Sequence, residues 1–381
     1  MNADPLLNQL RMRSNPGQSW VERLHIDLAL MSGLFLLATI AMVVLYSASG
    51  QDFMVLVRQF MRLCLAVAIM VGVAQVHPRH LHFAGPILYS AGVLMLLAVL
   101  LFGKISMGAQ RWLDLGVIRF QPSELTKIST PMMVAWFLAQ EQPPARLRTF
   151  ALALLVILVP TLLIAKQPDL GTAILVATSG LAVVFLAGLP WLYIFSAGAI
   201  GLSLLPIGWR FLHGYQKDRI LMLLNPEADP MGRGYHIIQS KIAIGSGGLQ
   251  GKGWLHGTQV HLEFLPESST DFIFAVLAEE FGLIGCLGLL FAYFLILARC
   301  LYIVTQTQDR FSRYLAGALT LTFFVYVFVN VGMVIGILPV VGVPLPLVSY
   351  GGTSTVTLLA GFGILMSVQT HRVKAKAQDG F

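Results

Sequence analysis

Long apolar stretches alternate with short polar segments along almost the whole chain, and this pattern predicts membrane-spanning helices. Residues 28–46 are 19 consecutive positions without a charge, enough for a helix to cross the apolar interior of a bilayer. A helix is the structure expected for such a run in lipid, because its backbone hydrogen bonds are all internal. The predicted spans are 28–46, about 53–75, 83–102, 122–140, 150–165, two within 170–209, 272–298 and two within 314–370.

The fold class that follows is an all-α polytopic membrane protein of about ten transmembrane helices. Residues 26–370 are predicted to form one transmembrane domain, with tails at 1–25 and 371–381. The segment 210–271 falls between spans seven and eight and is predicted to be a large extracytoplasmic segment. An even number of spans places both tails on the same side of the membrane.

Positive charges in the short loops indicate which side that is. The loops at 47–52 and 338–352 contain no lysine or arginine, whereas the short loops on the side of the tails are basic. Because basic loops stay in the cytoplasm, both tails are expected to be cytoplasmic. The basic residues on that side are Arg79, Arg146, Arg148, Arg299, Arg310, Arg313, Arg372, Lys374 and Lys376.

The composition agrees with this picture and narrows the function. Of 381 residues, 56% are hydrophobic and 11% are charged, which excludes a soluble enzyme, a disordered chain and a nucleic-acid-binding module. The net charge is +7, and many cations fall on the outer side, in 103–127 and 210–271. These cations either reflect the mixed charge of long outer loops or bind an anionic substrate at the outer face.

The polar segment with the clearest chemical meaning is 264–275, at the junction between the outer segment and a span. Asp271 lies there, near the predicted start of a helix. It either complements the helix dipole or serves as a general base, since partial desolvation at the water–lipid boundary raises the pKa of a carboxyl group. Glu279 and Glu280 lie about two turns deeper, either facing a water-filled cavity or forming a buried structural pair, because a charge facing lipid is costly.

A second polar cluster surrounds the outer end of the fourth predicted span. Arg111 and Trp112 precede it and suit either a substrate contact or an anchor at the membrane interface. Glu124 and Lys127 lie on one helical face, which suits a self-neutralising pair inside the bundle or the wall of a charged cavity. Asp169, at the start of another span, is either a helix cap or a further substrate contact.

Two other motifs suggest sites that their details do not support. The glycine-rich run 245–253 is not a phosphate-binding P-loop, because the required first glycine and the final serine or threonine are absent. A flexible loop near a substrate is expected there instead. His77, His80 and His82 are expected to form a basic interfacial loop rather than a metal site.

Four motifs occur in order along the chain: Phe120–Glu124, Gln167–Thr172, Leu262–Phe281 and Pro346–Gly352. Together they resemble the shape, elongation, division and sporulation family of membrane proteins, and the resemblance covers almost the whole chain. Within that family, the sequence looks more like the elongation branch than the division branch. One position departs from the family pattern, since Ser269 stands where a histidine is expected.

That resemblance implies a peptidoglycan glycosyltransferase of cell-wall elongation and rod-shape maintenance in the bacterial cytoplasmic (inner) membrane. Such an enzyme polymerises lipid II at the outer, periplasmic face and releases undecaprenyl pyrophosphate. Its partner would be a class B penicillin-binding protein, a transpeptidase of the rod elongation complex. The catalytic aspartate of the family matches Asp271 in this sequence.

The residues suit this chemistry. An acceptor hydroxyl must lose a proton, which Asp271 could accept, and the pyrophosphate leaving group needs cations. A divalent cation could share that task, although no ligand cluster in the sequence demands one and no other cofactor is implied. The lipid tail requires a groove between helices. The candidate substrate-binding residues are Arg58, Arg111, Trp112, Glu124, Lys127, Asp169, Lys241, Glu267 and Ser349.

Three other functions remain open from the sequence: a division polymerase of the same family, a lipid II flippase and a non-catalytic scaffold. A transporter should concentrate its charges near the membrane midplane and often shows internal repeats. Here the key charges cluster at the outer ends of the spans and no repeat is evident, which favours chemistry at the outer face. A scaffold predicts that the substitution Asp271→Asn is harmless.

Overall fold

The computed structural model describes residues 24–106, 109–114, 119–142, 146–211, 214–226, 229, 234–262, 264–265 and 267–378. Helices dominate these residues, as the apolar runs predict. They are α1 (Leu28–Ala48), α2 (Phe53–Ala74), α3 (Pro78–Phe102), α4 (Pro122–Ala139), α5 (Leu147–Lys166), α6 (Leu170–Leu186), α7 (Trp191–Phe211), α8 (Gly214–Leu224), α9 (Tyr235–Gly247), α10 (Thr258–His261), α11 (Ile273–Gln306), α12 (Arg310–Ile335) and α13 (Thr353–Gln378).

Every predicted span overlaps a helix, which confirms the all-α multi-pass architecture. Within the described residues, seven helices are long and apolar enough to cross a membrane: α1, α2, α3, α5, α11, α12 and the 353–371 part of α13. α6 and the first part of α7 are apolar but shorter. α4 coincides with the remaining predicted span, and its buried Glu124, Lys127 and hydroxyl groups make it less apolar than the others.

Aspartate side chains cap the start of four helices. Asp27 Oδ1 accepts a hydrogen bond from the Leu30 amide at 2.9 Å. Asp52, Asp169 and Asp309 cap α2, α6 and α12 in the same way. Since the first amides of a helix have no partner within it, these caps fix where each helix begins.

A small antiparallel sheet, which the apolar pattern does not predict, joins α3 to α4. Its strands are β1 (Lys104–Ser106), β2 (Ala109–Asp114) and β3 (Arg119–Phe120), in the order β1-β2-β3. Strands this short have too few alternating positions to be recognised in a sequence. The sheet places Arg111 and Trp112 on β2, which packs against α4.

The helices pack in neighbouring pairs: α2 along α13, α3 along α4, α1 along α11, and α6 against both α5 and α12. Small residues allow close approach, as where Gly363 of α13 lies against the backbone of Met70 in α2. In the interior, the rings of Tyr293 in α11 and Phe323 in α12 lie 5.8 Å apart. Side-chain packing between α1, α2 and α11–α13 therefore forms the main core.

α11 is broken at Gly282, which corrects the prediction of one continuous span over 272–298. Gly282 has φ 63° and ψ −160°, a conformation that is essentially restricted to glycine. A short buried helix, 273–281, therefore precedes the longer part, 283–306, which alone is long enough to cross a bilayer. Glu279 and Glu280 belong to the short helix and not to the membrane-crossing part.

The glycine-rich run 245–253 packs into this break, so it is a hydrogen-bonded part of the bundle and not the expected flexible loop. The Leu283 amide donates to the Gly248 carbonyl at 3.0 Å, and the Gly253 amide donates to the Glu280 carbonyl at 2.9 Å. Two backbones can approach this closely only where no side chain separates them. The run of glycines is therefore explained by packing.

The two ends of the bundle carry different polar groups. At one end, His25 stacks on His371 with ring centroids 4.1 Å apart, and Asp27 forms an ion pair with Arg299 at 2.5 Å. We call this the histidine end, and we call the opposite end, where Asp271 lies, the Asp271 end. Segments near the start and near the finish of the described chain thus meet at one end, as an even number of spans requires.

Candidate active site

Asp271 lies in the turn that precedes α11, and a hydrogen bond to its backbone carbonyl holds it in place. The buried Asn330 amide group donates to the Asp271 carbonyl at 3.0 Å and to the Val343 carbonyl at 2.8 Å. This bridge joins the turn to the loop that follows α12. Phe272 occupies the N-cap position of α11, and among the described residues no side chain caps that helix by a hydrogen bond. The Asp271 carboxylate is therefore not engaged as a helix cap.

Ser349 fastens the same loop to the residues just before Asp271. Its hydroxyl donates to the Thr270 carbonyl at 2.5 Å and accepts from the Leu345 amide at 2.8 Å. The next amide, that of Tyr350, donates to the Ser269 carbonyl at 2.8 Å. Ser349 is buried, so the structure places its hydroxyl in the support of the turn. Ser269 contributes backbone here, where the family pattern leads one to expect a histidine.

The surroundings of Asp271 favour its protonated form. Burial and, to a lesser extent, the charge of Glu267 raise the pKa of its carboxyl group, Arg219 opposes them, and the pKa comes to about 6. Glu267 is exposed, and its carboxylate accepts a hydrogen bond from the Thr270 hydroxyl at 2.7 Å. A Cβ at Gly342 would lie 3.5 Å from Asp271 Oδ2, so a glycine leaves space beside this oxygen. A carboxylate with this pKa is suited to accept a proton near neutral pH.

Lys241 supplies a cation at the Asp271 end from α9. The His236 ring of this helix stacks on Phe272, with centroids 5.8 Å apart. One turn further on, the Ser240 hydroxyl donates to the Val334 carbonyl at 2.9 Å. Lys241 follows and lies against Gly336, at the end of α12, while remaining exposed. The helix that carries this cation therefore packs directly on the residue after Asp271.

Arg111 and Asp169 come together in a second group at this end. Asp169 caps α6 with Oδ1, and its Oδ2 accepts from the Gln121 side chain at 3.2 Å and lies 3.8 Å from Arg111 Nε. The helix-cap interpretation of Asp169 is thus confirmed, and its contact with substrate stays a prediction. A Cβ at Gly171 would lie 2.7 Å from the Val341 carbonyl oxygen, so the start of α6 touches the loop beside Asp271.

Glu124 and Lys127 form a buried ion pair inside the bundle. Lys127 Nζ lies 2.7 Å from Glu124 Oε1 and 5.3 Å from the centre of the Tyr326 ring, and the two side chains are only 8% and 7% exposed. Within the described residues, Glu124 Oε2 has no hydrogen-bond partner. This geometry matches the self-neutralising pair, and it ties α4 to α12 below the loop that carries Asp271.

Two arginines of α2 lie at the same end. Arg58 is half exposed and its guanidinium lies 4.0 Å from Asp52. Arg62, one turn later, lies over the Tyr350 ring at 4.5 Å and beside Gly352, so it adjoins the loop that holds Asp271. Arg62 is not among the residues predicted from the sequence, although its spacing of four residues from Arg58 puts both on one helical face.

Glu279 and Glu280 are both turned toward protein. Glu279 Oε1 accepts from Lys252 Nζ at 2.6 Å and from the Thr258 amide at 2.9 Å, and Glu280 accepts from the Ser47 hydroxyl. Both carboxylates are buried. The structural interpretation of this pair is therefore correct, and Lys252, which is not among the residues predicted from the sequence, is the cation that accompanies it.

An apolar groove runs between α1, α2 and α13 and reaches the loop before Ser349. Its volume is about 630 Å³, and its lining is almost entirely hydrocarbon. The groove begins near Met31 and includes Phe60 and Leu63 of α2. Leu347, two residues before Ser349, also lines it. A groove of this character is suited to an apolar chain rather than to a polar ligand.

Among the described residues, no group of three or more histidine, cysteine, aspartate or glutamate side chains is arranged to hold a metal ion. The charge of Glu267 nevertheless raises the pKa of Asp271, so two carboxylates lie close together. A divalent cation bound to the pyrophosphate of a substrate would meet these carboxylates. The divalent cation stays a prediction.

The chain is similar in sequence and in structure to known proteins of cell-wall synthesis. The chain is 55% identical over 363 residues to peptidoglycan glycosyltransferase MrdB of Escherichia coli K12, covering 95% of this chain and 98% of the relative. A chain of a solved peptidoglycan synthase complex, described as coordinating polymerization and crosslinking, superposes with a TM-score of 0.78 at 35% identity, covering 91% of this chain and 98% of that one.

The Thermus thermophilus rod shape determining protein RodA superposes with a TM-score of 0.69 at 31% identity, covering 91% of this chain and 97% of that one. The family model for cell cycle proteins of the FtsW, RodA and SpoVE type matches residues 20–374. This chain is a member of the FtsW, RodA and SpoVE family of cell cycle proteins.

Proposed function

We propose that this chain polymerises lipid II into glycan strands during cell-wall elongation, with Asp271 as the general base. Its similarity to the E. coli enzyme over nearly the whole of both chains makes it a peptidoglycan glycosyltransferase. The observation that carries the role of Asp271 is its placement: a partly buried carboxyl group with a pKa of about 6 lies at the end of the bundle that also carries Lys241, Arg58 and Arg111.

In the reaction, a sugar hydroxyl of the acceptor attacks C1 of the donor sugar. The new C–O bond forms as the bond between C1 and the pyrophosphate oxygen breaks, and the pyrophosphate leaves with the electron pair. Asp271 accepts the hydroxyl proton, which it can do only when it is ionised. A single displacement of this kind inverts the anomeric carbon.

The leaving pyrophosphate requires positive charge, and exposure separates the candidates for that task. Lys241 is exposed, Arg58 keeps 54% of its side chain exposed and Arg111 keeps 34%, so each is accessible to a ligand. Lys127 is buried and neutralised by Glu124, so its role is to hold α4 against α12. Arg62 is partly exposed and lies over the Tyr350 ring, so it joins the accessible cations.

The apolar groove between α1 and α2 suits the lipid tail of the substrate. It lies among membrane-spanning helices and reaches Leu347, in the loop that Ser349 fastens to the turn before Asp271. A tail in this groove would bring the pyrophosphate toward the Asp271 end. Arg58 and Arg62 of α2 lie on the helix that forms one wall of the groove and would meet the phosphates there.

The partner and the orientation belong to the same proposal. We infer that the partner is a class B penicillin-binding protein of the rod elongation complex. The structurally similar chain from a synthase complex in which polymerization and crosslinking are coordinated supports this inference. The basic histidine end would face the cytoplasm and the Asp271 end the periplasm, according to the charge rule. The membrane would be the bacterial inner membrane.

The decisive experiment measures lipid II polymerisation by the purified full-length chain with its transpeptidase partner, read as glycan chain length on a gel. Asp271→Asn should lower the rate at least about 100-fold, because a general base contributes about that much or more. Asp309→Asn is the matched control, since this residue lies at the opposite end and asparagine also caps helices. Ladders of wild-type length from Asp271→Asn, with the complex intact, would contradict the proposal.

A further inference from the structure

A cavity of about 500 Å³ opens at the histidine end, away from the candidate active site. Its walls come from the start of α3, from the turn between α11 and α12, and from α13. The residues that give it chemical character are His77, Arg79, His82, Asp309 and His371. Nothing in the polymerisation mechanism uses these residues.

The fixed charges of the cavity leave Arg79 available to a ligand. Among the described residues, no carboxylate lies within ion-pair distance of Arg79. The carboxylate in the wall, Asp309, is already engaged, since its Oδ2 accepts from the Ser312 amide at 2.9 Å and from the Ser312 hydroxyl at 2.6 Å. The cavity therefore presents an arginine that pairs with no carboxylate of the described residues, and the Asp309 carboxylate in the same wall is held by Ser312.

Ring contacts hold the histidines of the cavity in place. The His371 ring stacks on His25 at 4.1 Å and meets His77 edge-on at 4.8 Å. The His82 ring meets the Phe311 ring edge-on at 4.9 Å. The site is thus assembled from α3, α12 and α13 together with the residues before α1.

The position of the cavity indicates the kind of ligand. It lies at the end of spanning helices, where headgroups meet the protein, and the arginines of the short loops are concentrated at this end. Phe83 lines the cavity and is 65% exposed, so an apolar ring borders the polar groups. Basic pockets between transmembrane helices on the cytoplasmic side are suited to phosphate headgroups with acyl chains alongside.

We propose that this cavity binds the phosphate headgroup of an anionic phospholipid, with Arg79 as its ionic partner and the surrounding histidines as additional donors. The acyl chains would leave past Phe83 into the bilayer. This site is independent of the polymerase assignment, since it lies at the other end of the bundle and shares no residue with the candidate active site.

Proton binding is expected to couple to this site. Burial lowers the pKa of His77, and the nearby charges of Arg79 and His80 lower it further. The titratable groups that face the cavity are those three together with His82 on α3, Asp309 at the start of α12, His371 on α13 and its stacked partner His25. A bound phosphate offsets the repulsion among these cations, so it should raise the pKa of His77 and bind more tightly at lower pH.

The experiment uses the full-length protein in nanodiscs that contain phosphatidylcholine with a small fraction of phosphatidylglycerol, and native mass spectrometry counts the retained lipids. Arg79→Gln should lower phosphatidylglycerol retention about fivefold, the effect of one basic residue near an anionic headgroup. Arg148→Gln is the matched control, because it removes an exposed arginine of the same end outside the cavity. Wild-type retention should rise between about pH 8 and about pH 5.5.

A second measurement follows the His77 imidazole by NMR during titration with phosphatidylglycerol or with inorganic phosphate. Phosphatidylglycerol should raise the His77 pKa at concentrations where inorganic phosphate does not. Equal retention by Arg79→Gln and Arg148→Gln, with both proteins monodisperse, would overturn the proposal. So would an unchanged His77 pKa, or an equal response to inorganic phosphate, because the lipid would then not be the ligand recognised.

Discussion

The break at Gly282 offers the sharpest test of how the fold positions Asp271. In Gly282→Ala, the new Cβ would lie 2.6 Å from the Leu249 carbonyl oxygen and 2.7 Å from its carbonyl carbon. Backbone atoms cannot rotate away from such a contact, so the glycine-rich run must separate from the break. The conformation at φ 63° and ψ −160° adds strain for any residue with a Cβ.

The expected magnitude follows from these two effects. The strained backbone costs about 1 to 3 kcal/mol. Separation of the segments weakens the bonds from the Leu283 and Ile284 amides to the carbonyls of Gly248 and Leu249, at about 1 kcal/mol each. Gly282→Ala should therefore destabilise the protein by about 3 to 5 kcal/mol and lower polymerisation, because the short helix after Asp271 loses its anchor.

Gly288→Ala is the matched control within the same helix. No heavy atom lies within 4 Å of the Cβ that it adds, and alanine is the better helix former by about 1 kcal/mol. Thermal unfolding of the two purified variants in one detergent compares them directly, with lipid II polymerisation as the second readout. A Gly282→Ala protein that unfolds at the temperature of Gly288→Ala and keeps full activity would refute the reasoning.

Three further predictions concern the support of the site. Polymerisation should rise as the pH increases through about 6, because the carboxylate form of Asp271 is the base, and a pH–rate profile checks this. Above that pH, Asp271→Asn should be at least as stable as wild type, since folding disfavours the ionised carboxylate, and unfolding curves of the two proteins check this. Ser349→Ala should cost about 1 to 3 kcal/mol and reduce activity, as it leaves buried backbone groups unpaired, whereas the exposed Ser90→Ala should change neither quantity. Lys252→Met should lower stability by about 3 kcal/mol by leaving Glu279 buried without its cation, and adding Glu279→Gln should recover part of the loss in a double-mutant cycle.

Much of the fold was predictable because the forces that place helices in a membrane act locally. Each apolar run of sufficient length becomes a helix, whatever its neighbours, since the backbone must be satisfied within it. The aspartate at the start of a run, such as Asp169, caps the same helix from the adjacent position. The order of the spans and the membrane class of the protein followed from these local rules.

The candidate site was only partly predictable from the sequence. Asp271 was identified from its position and its motif, but the sequence left open whether it caps α11. The structure shows Phe272 at the cap position and Asn330 holding the Asp271 backbone. Arg62 was missed because its relevance comes from Tyr350, almost 300 residues away in the sequence. Such partners are set by packing between distant segments.

The sequence by itself therefore determined the membrane class, the approximate positions of the spans and the family resemblance, and it predicted Asp271 as the catalytic candidate. Only the tertiary structure decided that the span after Asp271 is broken at Gly282, that the glycine-rich run closes this break, and that Glu124 and Lys127 are buried against each other. The physical reason is the range of the interactions. Insertion of a helix into lipid depends on consecutive residues, so the sequence predicts it. Close backbone contacts and ion pairs depend on which helices become neighbours.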